Sequence, residues 1–268
     1  MCLRWKRDAM RVFMHRALGN HEHMSEWNDI AVIAPTHDID IATVPGLRTQ
    51  VDSLVAAGTR RVLVNCQNVT FIDSTGLAFL LSRARELARC DGLLSLVNAS
   101  PDVMRFLQIE RLLDVLHVSG ADRPVVPVLA PDAPPAWSKS FAVREGVENL
   151  GYYRHRVADL LERVPLTREE RFDTALAVGE ALSNAYDHAC GACGCTLVVQ
   201  AYADRVVIEV RDCGCGYEIG ADEVPVMSEE RGRGVRLMRL LVDSVEVSRR
   251  DDGCGTQVRL VKLVDPAR

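Results

Sequence analysis

The stretch from Pro124 to Pro135, PVVPVLAPDAPP, holds five of the chain's eleven prolines. Proline fixes φ and lacks an N–H, so neither a helix interior nor a central strand accepts such a stretch. It reads as a semi-rigid linker. A chain of 268 residues is thereby cut into two pieces, each long enough for a core of its own. The sequence divides into an extension over 1–23, a domain over 24–122, the linker over 123–136 and a second domain over 137–265. No repeat of 20–50 residues relates the two halves.

The segment from Met1 to His23 carries five Lys/Arg and two acids with no uninterrupted apolar core, so it does not read as a secretory signal. Either Arg11, Val12, Phe13 and Met14 sit on a short amphipathic helix, or the segment is spurious or disordered and translation starts at Met10, Met14 or Met24. A net charge of −5 gives no basic footprint for nucleic acid. No apolar run reaches the ~20 residues of a membrane span. Nine cysteines, an odd number, without an export signal point to free thiols and a cytoplasmic location.

The first half alternates strand and helix signals. Strands are expected at Ile30–Ala34, Arg61–Asn65, Leu93–Val97 and Val115–Val118. Leu47, Val51, Leu54 and Val55 mark one helical face ended by Gly58, and Leu77, Leu80, Leu81, Ala84, Leu87 and Ala88 mark another. Ser100-Pro101 reads as an N-cap with proline opening the helix. The expectation is an α/β domain with helices packed on a sheet. In the second half a strand over Ser138–Val143 precedes two helices, the second opened by the capping box Thr167-x-x-Glu170 and running to about Ala189. Strands at Thr196–Tyr202 and Val206–Arg211, a helix near 234–242 and strands at Ser244–Ser248 and Gln257–Leu263 complete an α+β domain on a mixed, largely antiparallel sheet.

On the helix after Thr167, Asp173, Glu180, Asn184 and Asp187 form a polar stripe, and Glu180 and Asn184, four apart, project together. In isolation this is an ordinary solvated face. A turn, Asp212-Cys213-Gly214-Cys215-Gly216, then follows a strand. Its glycines let backbone approach a ligand, and its Asp can accept from an exocyclic amine. Arg231-Gly232-Arg233-Gly234 precedes an apolar helix from Val235, a natural phosphate site. Gly253-Cys254-Gly255-Thr256 opens the last strand.

In this order, E-x-x-x-N, D-x-G-x-G, G-x-G and G-T resemble the nucleotide-binding boxes of the GHKL ATPase superfamily. EALSNAYDHA and RGRGVRLMRLLVDSVEV are similar, more narrowly, to the anti-sigma-factor serine kinases. The resemblance covers most of 137–265. It implies that Glu180 is the general base and that Asn184 ligates Mg²⁺ beside bound ATP. Asp212 would bind the adenine amine, with Thr256 in support. Gly214 and Gly216 would let backbone approach the nucleotide, and Gly232 and Gly234 would close a lid, Tyr217–Glu230, around the phosphates. Arg231 and Arg233 are candidates to neutralise phosphate charge, the other reading being solvated lid arginines.

In the first half, Phe71-Ile72-Asp73-Ser74-Thr75-Gly76-Leu77 enters a helix, and His37-Asp38-Ile39-Asp40-Ile41-Ala42-Thr43 enters the one before it. Asp73, Ser74 or Thr75 can cap that helix. An exposed hydroxyl there is also a good phosphoacceptor, because the helix N–H groups stabilise the dianion. With VLVNCQNV and LLSLVNAS, these segments resemble a STAS domain of the anti-sigma-factor antagonist type over about 28–120. The resemblance implies that Ser74 is phosphorylated, with Thr75 a lesser site. His37 stands where the family usually has Gly, and Cys66 and Gln67 replace more typical loop residues, which bears on partner choice.

Cys190, Cys193, Cys195, Cys213 and Cys215 could ligate zinc, but the regular paired spacing of a zinc site is missing; small-residue filling and redox sensing are the other readings. The resemblance as a whole implies a partner-switching regulator of transcription. An ATP- and Mg²⁺-dependent protein serine kinase and anti-sigma factor is fused to its antagonist domain and phosphorylates Ser74 in cis or trans, or a separate antagonist protein. Fusion raises effective concentration to roughly millimolar. Expected partners are a sigma factor, STAS-domain antagonists and a second copy through the kinase domain, with neither nucleic acid nor membrane. The alternative is a nucleotide-gated docking module with little or no kinase activity. No histidine-bearing dimerisation helix or sensor precedes the ATP domain, which weighs against a histidine kinase.

Overall fold

The structure, a computed structural model, describes residues 13–14, 30–122, 124–130, 132–143, 148–188, 194–214, 216, 218–219, 230–250 and 254–265, with backbone alone at 13–14, 148–149, 187–188 and 230–233. The chain forms two compact units, Met1–Arg123 and Pro124–Arg268.

The first unit is built on three parallel strands, β2 (Ile30–Ile33), β3 (Arg61–Asn65) and β4 (Leu93–Val97), with β1 (Phe13–Met14) antiparallel to β2 at the edge. Phe13 and Met14 are thus in a strand and not in the expected short helix; Arg11 and Val12 lie outside the described residues. The register pairs Val32 with Leu63 and Leu63 with Ser95. Every residue of β3 is buried, as expected of a central parallel strand covered on both faces. Its Arg61 is satisfied inside the core by donating to Ser95 Oγ at 2.9 Å. Helix α1 (Val44–Ala56) joins β2 to β3 and buries Val44, Leu47, Val51 and Leu54. Helix α2 (Ser74–Ala88) joins β3 to β4 and buries Gly76, Phe79, Leu80 and Leu87. Helix α3 (Pro101–Ile109) follows β4, its first turn closed by Ser100 Oγ accepting from Val103 N–H at 3.3 Å.

The strand expected at Val115–Val118 is not formed. Residues 113–117 are turns, and His117 takes φ +45°, which ends any extended ladder. Leu116 still fills the core, and the segment stays tied to the end of β4: Leu96 N–H donates to Leu116 O at 3.2 Å, Ser119 N–H donates to Leu96 O at 2.9 Å, and Gly120 bridges to Ala99.

The second unit is a five-stranded sheet in the order β5-β6-β7-β9-β8, formed by β5 (Trp137–Val143), β6 (Cys195–Ala201), β7 (Arg205–Arg211), β8 (Ser244–Arg249) and β9 (Thr256–Leu263). All four pairings are antiparallel, in keeping with the largely antiparallel sheet expected. Strand β6 alternates buried and half-buried residues, the pattern of a sheet with one face packed on a core. Helices α4 (Glu148–Leu161), α5 (Arg168–His188) and α6 (Glu230–Leu241) complete the unit, α5 packing against α4, α6 and the sheet. The capping box forms: Glu170 N–H donates to Thr167 Oγ1 at 3.1 Å and Thr167 N–H to Glu170 Oε2 at 2.8 Å. The proline-rich stretch is tied to this unit. Buried Arg205 pairs with Asp204 and donates to the Pro127 carbonyl at 2.5 Å, and Ala136 N–H donates to Ala201 O at 2.8 Å. Among the described residues, no helix is long and apolar enough to cross a membrane.

Candidate functional site

Each unit brings a set of the singled-out residues together. In the second unit they gather at one end of the sheet. The polypeptide returns from the end of α5 to start β6, β7 finishes at Arg211 and β9 starts at Thr256. Asp212 is 5% exposed. Its Oδ1 accepts from Gly214 N–H at 2.8 Å and from Thr256 N–H at 2.9 Å. Its own N–H donates to Thr256 O at 3.0 Å. One carboxylate oxygen is therefore committed to fixing the turn, and among the described residues no donor engages Oδ2. A buried carboxylate with one oxygen left is suited to an amine donor on a planar ring. The glycines are required here. Gly255 takes φ +99°, and a Cβ on it would run into the Asp212 carbonyl. Gly216, at φ +69°, would place a Cβ 2.7 Å from Gly255 O. The two turns lie backbone against backbone.

Glu180 and Asn184 are half-buried, one turn apart on α5. The Asn184 Nδ2 is buried and, among the described residues, has no hydrogen-bond partner. A buried amide left in that state costs free energy unless a ligand completes it. Asn184 also rests against Gly234: a Cβ there would sit 2.9 Å from Nδ2 and 3.2 Å from Oδ1. The two carboxamide positions exchange by rotation, so Asn184 can offer an oxygen to a hard cation. Among the described residues no three His, Cys, Asp or Glu come together as a metal cluster. That donor set fits Mg²⁺ held by one protein oxygen, phosphate oxygens and water, the ion's usual mode beside a nucleotide.

Arg231, Gly232, Arg233 and Gly234 lie inside the first turns of α6, which starts at Glu230, and not in a loop before a helix at Val235. The glycines lower helix propensity, but a helix N-terminus is where that cost is least, and close approach to Asn184 demands the absence of a side chain. The first turn of a helix leaves its backbone N–H groups without intrahelical partners, and this is where α6 begins. The lid segment Tyr217–Glu230 falls mostly outside the described residues. Sequence reasoning missed Arg250, whose Nη1 donates to the Asp212 carbonyl at 3.0 Å. A run of Arg249-Arg250-Asp251-Asp252 carries no signal to single it out.

The cysteines divide by environment. Cys195 is buried, and its thiol is pushed up to about 11 by burial and by the Asp212 charge. Cys254 is exposed, whereas Cys213 is disulfide-bonded, where thiols were expected throughout. Cys190, Cys193 and Cys215 lie outside the described residues.

In the first unit, the loops entering α1 and α2 are zipped together. Ile39 N–H donates to Phe71 O and Asp73 N–H to Ile39 O, each at 3.1 Å. Three carboxylates hold this frame. Asp38 Oδ1 accepts from Thr70 N–H at 2.7 Å and Phe71 N–H at 2.9 Å, which keeps its carboxyl below the usual range. Asp40 Oδ1 accepts from Thr43 N–H at 2.9 Å and Ala42 N–H at 3.0 Å, with the same effect. Asp73 caps α2, accepting from Gly76 N–H at 2.7 Å, and reaches across to Ile41 N–H at 3.0 Å. A Cβ on Gly76 would collide with the Ile39 carbonyl. Of the three capping candidates, Asp73 does the capping. Ser74 is the first residue of α2, exposed beside exposed Thr75. Ile41, 70% exposed, and Phe71, 57% exposed, belong to the two loops around it.

The comparisons agree with this division. Residues 24–121 match the STAS domain and residues 143–262 the histidine kinase-like ATPase domain. An anti-sigma-B factor antagonist of Staphylococcus aureus is 33% identical over 82 residues, spanning 31% of this chain and 76% of that protein; the same figures hold for its Staphylococcus epidermidis counterpart. Among solved structures, the anti-sigma factor antagonist SpoIIAA in its unphosphorylated form is 22% identical over 41% of this chain and 88% of its own, with a TM-score of 0.33. The RsbU and RsbW domains of a Mycobacterium tuberculosis protein are 18% identical over 50% of this chain and 34% of that one, with a TM-score of 0.38. The chain belongs, through its first unit, to the STAS-domain family of anti-sigma factor antagonists, and it joins that domain to a region that matches the histidine kinase-like ATPase domain.

Proposed function

We propose that the chain is a partner-switching regulator in which the ATPase domain is a protein serine kinase and the STAS domain carries a phosphoacceptor, Ser74. The observation that carries the reading is the placement of Glu180 one turn from Asn184, whose buried amide lacks a hydrogen-bond partner among the described residues. Asp212 would select the adenine ring through Oδ2. The first turns of α6, with Arg231, Gly232, Arg233 and Gly234, would receive the phosphates. Asn184 would hold Mg²⁺, which supplies charge neutralisation for the triphosphate when bound.

In the transfer step, Glu180 accepts the proton of the serine hydroxyl as its oxygen forms a bond to the γ-phosphorus. The bond from that phosphorus to the β–γ bridging oxygen breaks, and ADP leaves with the electron pair. Because Asp73 already caps α2, the Ser74 hydroxyl is not needed to hold the helix. A phosphate there would place about −1.5 to −2 charges beside Asp73, on the loop entry that also carries the exposed Phe71. That would turn an apolar docking surface into a repulsive one. The partners this reading implies are a sigma factor, separate STAS-domain antagonists and a second copy of the ATPase domain. The anti-sigma-B factor antagonists found as relatives support it.

The test is incubation of the full chain with Mg·ATP, followed by phosphosite mapping, with Ser74→Ala and Glu180→Ala alongside. The expected outcome is phosphate on Ser74 that disappears in both variants while Glu180→Ala still binds ATP. Bound ATP without phosphate on this chain or on an added antagonist domain would leave a nucleotide-gated docking module in place of a kinase.

A further inference from the structure

Helix α4 contributes a residue that the nucleotide boxes do not include. Arg154 lies across α5 at Gly179, the residue before Glu180. A Cβ built on Gly179 would stand 2.5 Å from Arg154 Cδ, 3.3 Å from Cγ and 3.5 Å from Nη1. The Arg154 side chain therefore occupies the space that any other residue at 179 would fill, next in sequence to Glu180. Asn184, one turn on, fixes which end of α5 the chemistry uses.

We propose that Arg154 is the positioning residue for Glu180, a guanidinium laid over Gly179 that orients the carboxylate toward the incoming hydroxyl. This deepens the kinase reading and rests on it. The electrostatics of the pair agree with the geometry. Burial pushes the Arg154 guanidinium down, and the charge of Glu180 opposes that shift. A cation taken out of water is retained where an anion compensates it. A guanidinium is suited to the task because its planar fork constrains a carboxylate in direction as well as distance, whereas an ammonium constrains distance alone. Gly179 then has a reason independent of helix propensity, which it lowers by about 1 kcal/mol relative to Ala. The position must stay empty for the guanidinium to reach past it.

The experiment compares wild type, Arg154→Ala, Arg154→Lys, Gly179→Ala and the Arg154→Ala/Gly179→Ala pair in the full chain. Phosphoserine formation is measured on its own or an added STAS domain, together with the affinity for Mg·ATP. Arg154→Ala is expected to lower kcat about tenfold or more, part of the contribution of a positioned general base. The ATP affinity should stay within about threefold, because the residue does not hold the nucleotide in this reading. Arg154→Lys restores part of the rate, since the charge returns without the fork. Gly179→Ala gives a similar loss by displacing the side chain, and the pair is no slower than the slower single variant. Arg154→Ala at the wild-type rate, loss of ATP affinity in step with kcat, or additive losses in the pair each overturn the assignment while leaving the kinase reading intact. Absence of phosphoserine in wild type with ATP bound overturns both. Should Arg154→Ala fail to fold, the Arg154→Lys and Gly179→Ala rates decide, and wild-type kcat in both of them is the overturning result.

Discussion

Gly234 lies so close to the Asn184 carboxamide that a Cβ on it would stand 2.9 Å from Nδ2. Replacing it with alanine sets two effects against each other. Within α6 the change gains helix propensity, about 0.5–1 kcal/mol. At the site it pushes Asn184 away from the place where a cation and phosphates would be held. Gly234→Ala is therefore expected to leave the melting temperature unchanged or raise it slightly, while weakening Mg·ATP binding about tenfold. Calorimetric titration beside a thermal melt checks this. A parallel loss of stability would mean that the contact is ordinary packing.

Asp212 is predicted to have a double role that can be separated. Its Oδ1 fixes the turn through two backbone N–H groups, and Oδ2 is the oxygen assigned to adenine. Asp212→Ala leaves both N–H groups without their acceptor and should cost about 1–3 kcal/mol of stability as well as nucleotide binding. Asp212→Asn keeps an acceptor for the turn and offers an amide where the amine donor arrives. It should fold with a smaller loss and still bind ATP at least tenfold more weakly. Denaturant unfolding with and without ATP distinguishes the two variants. Equal ATP affinity in Asp212→Asn and wild type would remove the adenine assignment.

The sequence made some of these relationships legible and hid others. Boxes of residues close in the chain were readable, because D-x-G-x-G and E-x-x-x-N bring their chemistry together by strand-end and helical spacing alone. The capping box at Thr167 and Glu170 and the cap at Ser100 were readable for the same reason. What was not readable depends on tertiary approach. The choice among Asp73, Ser74 and Thr75 as the cap turns on the φ/ψ of Asp73 and on its reach to Ile41 N–H, made across the two loops. The contact of Arg154 with Gly179 joins two helices, and Arg250 reaches the Asp212 carbonyl across the sheet end. The failed strand at 115–118 has apolar β-branched residues and a buried Leu116, so its composition is strand-like. A left-handed residue at His117 decided otherwise.

The capping assignment predicts opposite outcomes at neighbouring positions. Asp73→Ala removes the acceptor for Gly76 N–H and the tie to Ile41 N–H, so it should cost about 1–2 kcal/mol. Ser74→Ala removes an exposed hydroxyl at the first helical residue and should stay within about 0.5 kcal/mol. Unfolding in urea measures both. If Ser74→Ala proved the more damaging, the hydroxyl would be structural and its availability as a phosphoacceptor would be lost from the argument.

The buried thiols predict a specific response to alkaline pH. Burial pushes the Cys66 thiol from its ordinary 9.0 up to about 12, and Cys195 to about 11. A folded-state pKa above the unfolded value means that the fold prefers the protonated form. The corresponding stability is fully present below about pH 9 and is lost as pH rises from there toward 12, because the unfolded chain ionises first. At pH 10.5 the Cys66 contribution is a loss of about 2 kcal/mol relative to pH 8. Other groups titrate in the same range, so the measurement is the difference between wild type and Cys66→Ala at the two pH values. Cys66→Ala should be less stable than wild type at pH 8, from the lost packing at a fully buried site, and the gap should narrow by about that amount at pH 10.5. Alkylation of the native protein at pH 8 gives an independent check: exposed Cys90 and Cys254 should react, and Cys66 and Cys195 should stay unmodified until the chain is unfolded. A constant gap between the variants, together with rapid modification of Cys66 in the folded chain, would show that this thiol is reached by water.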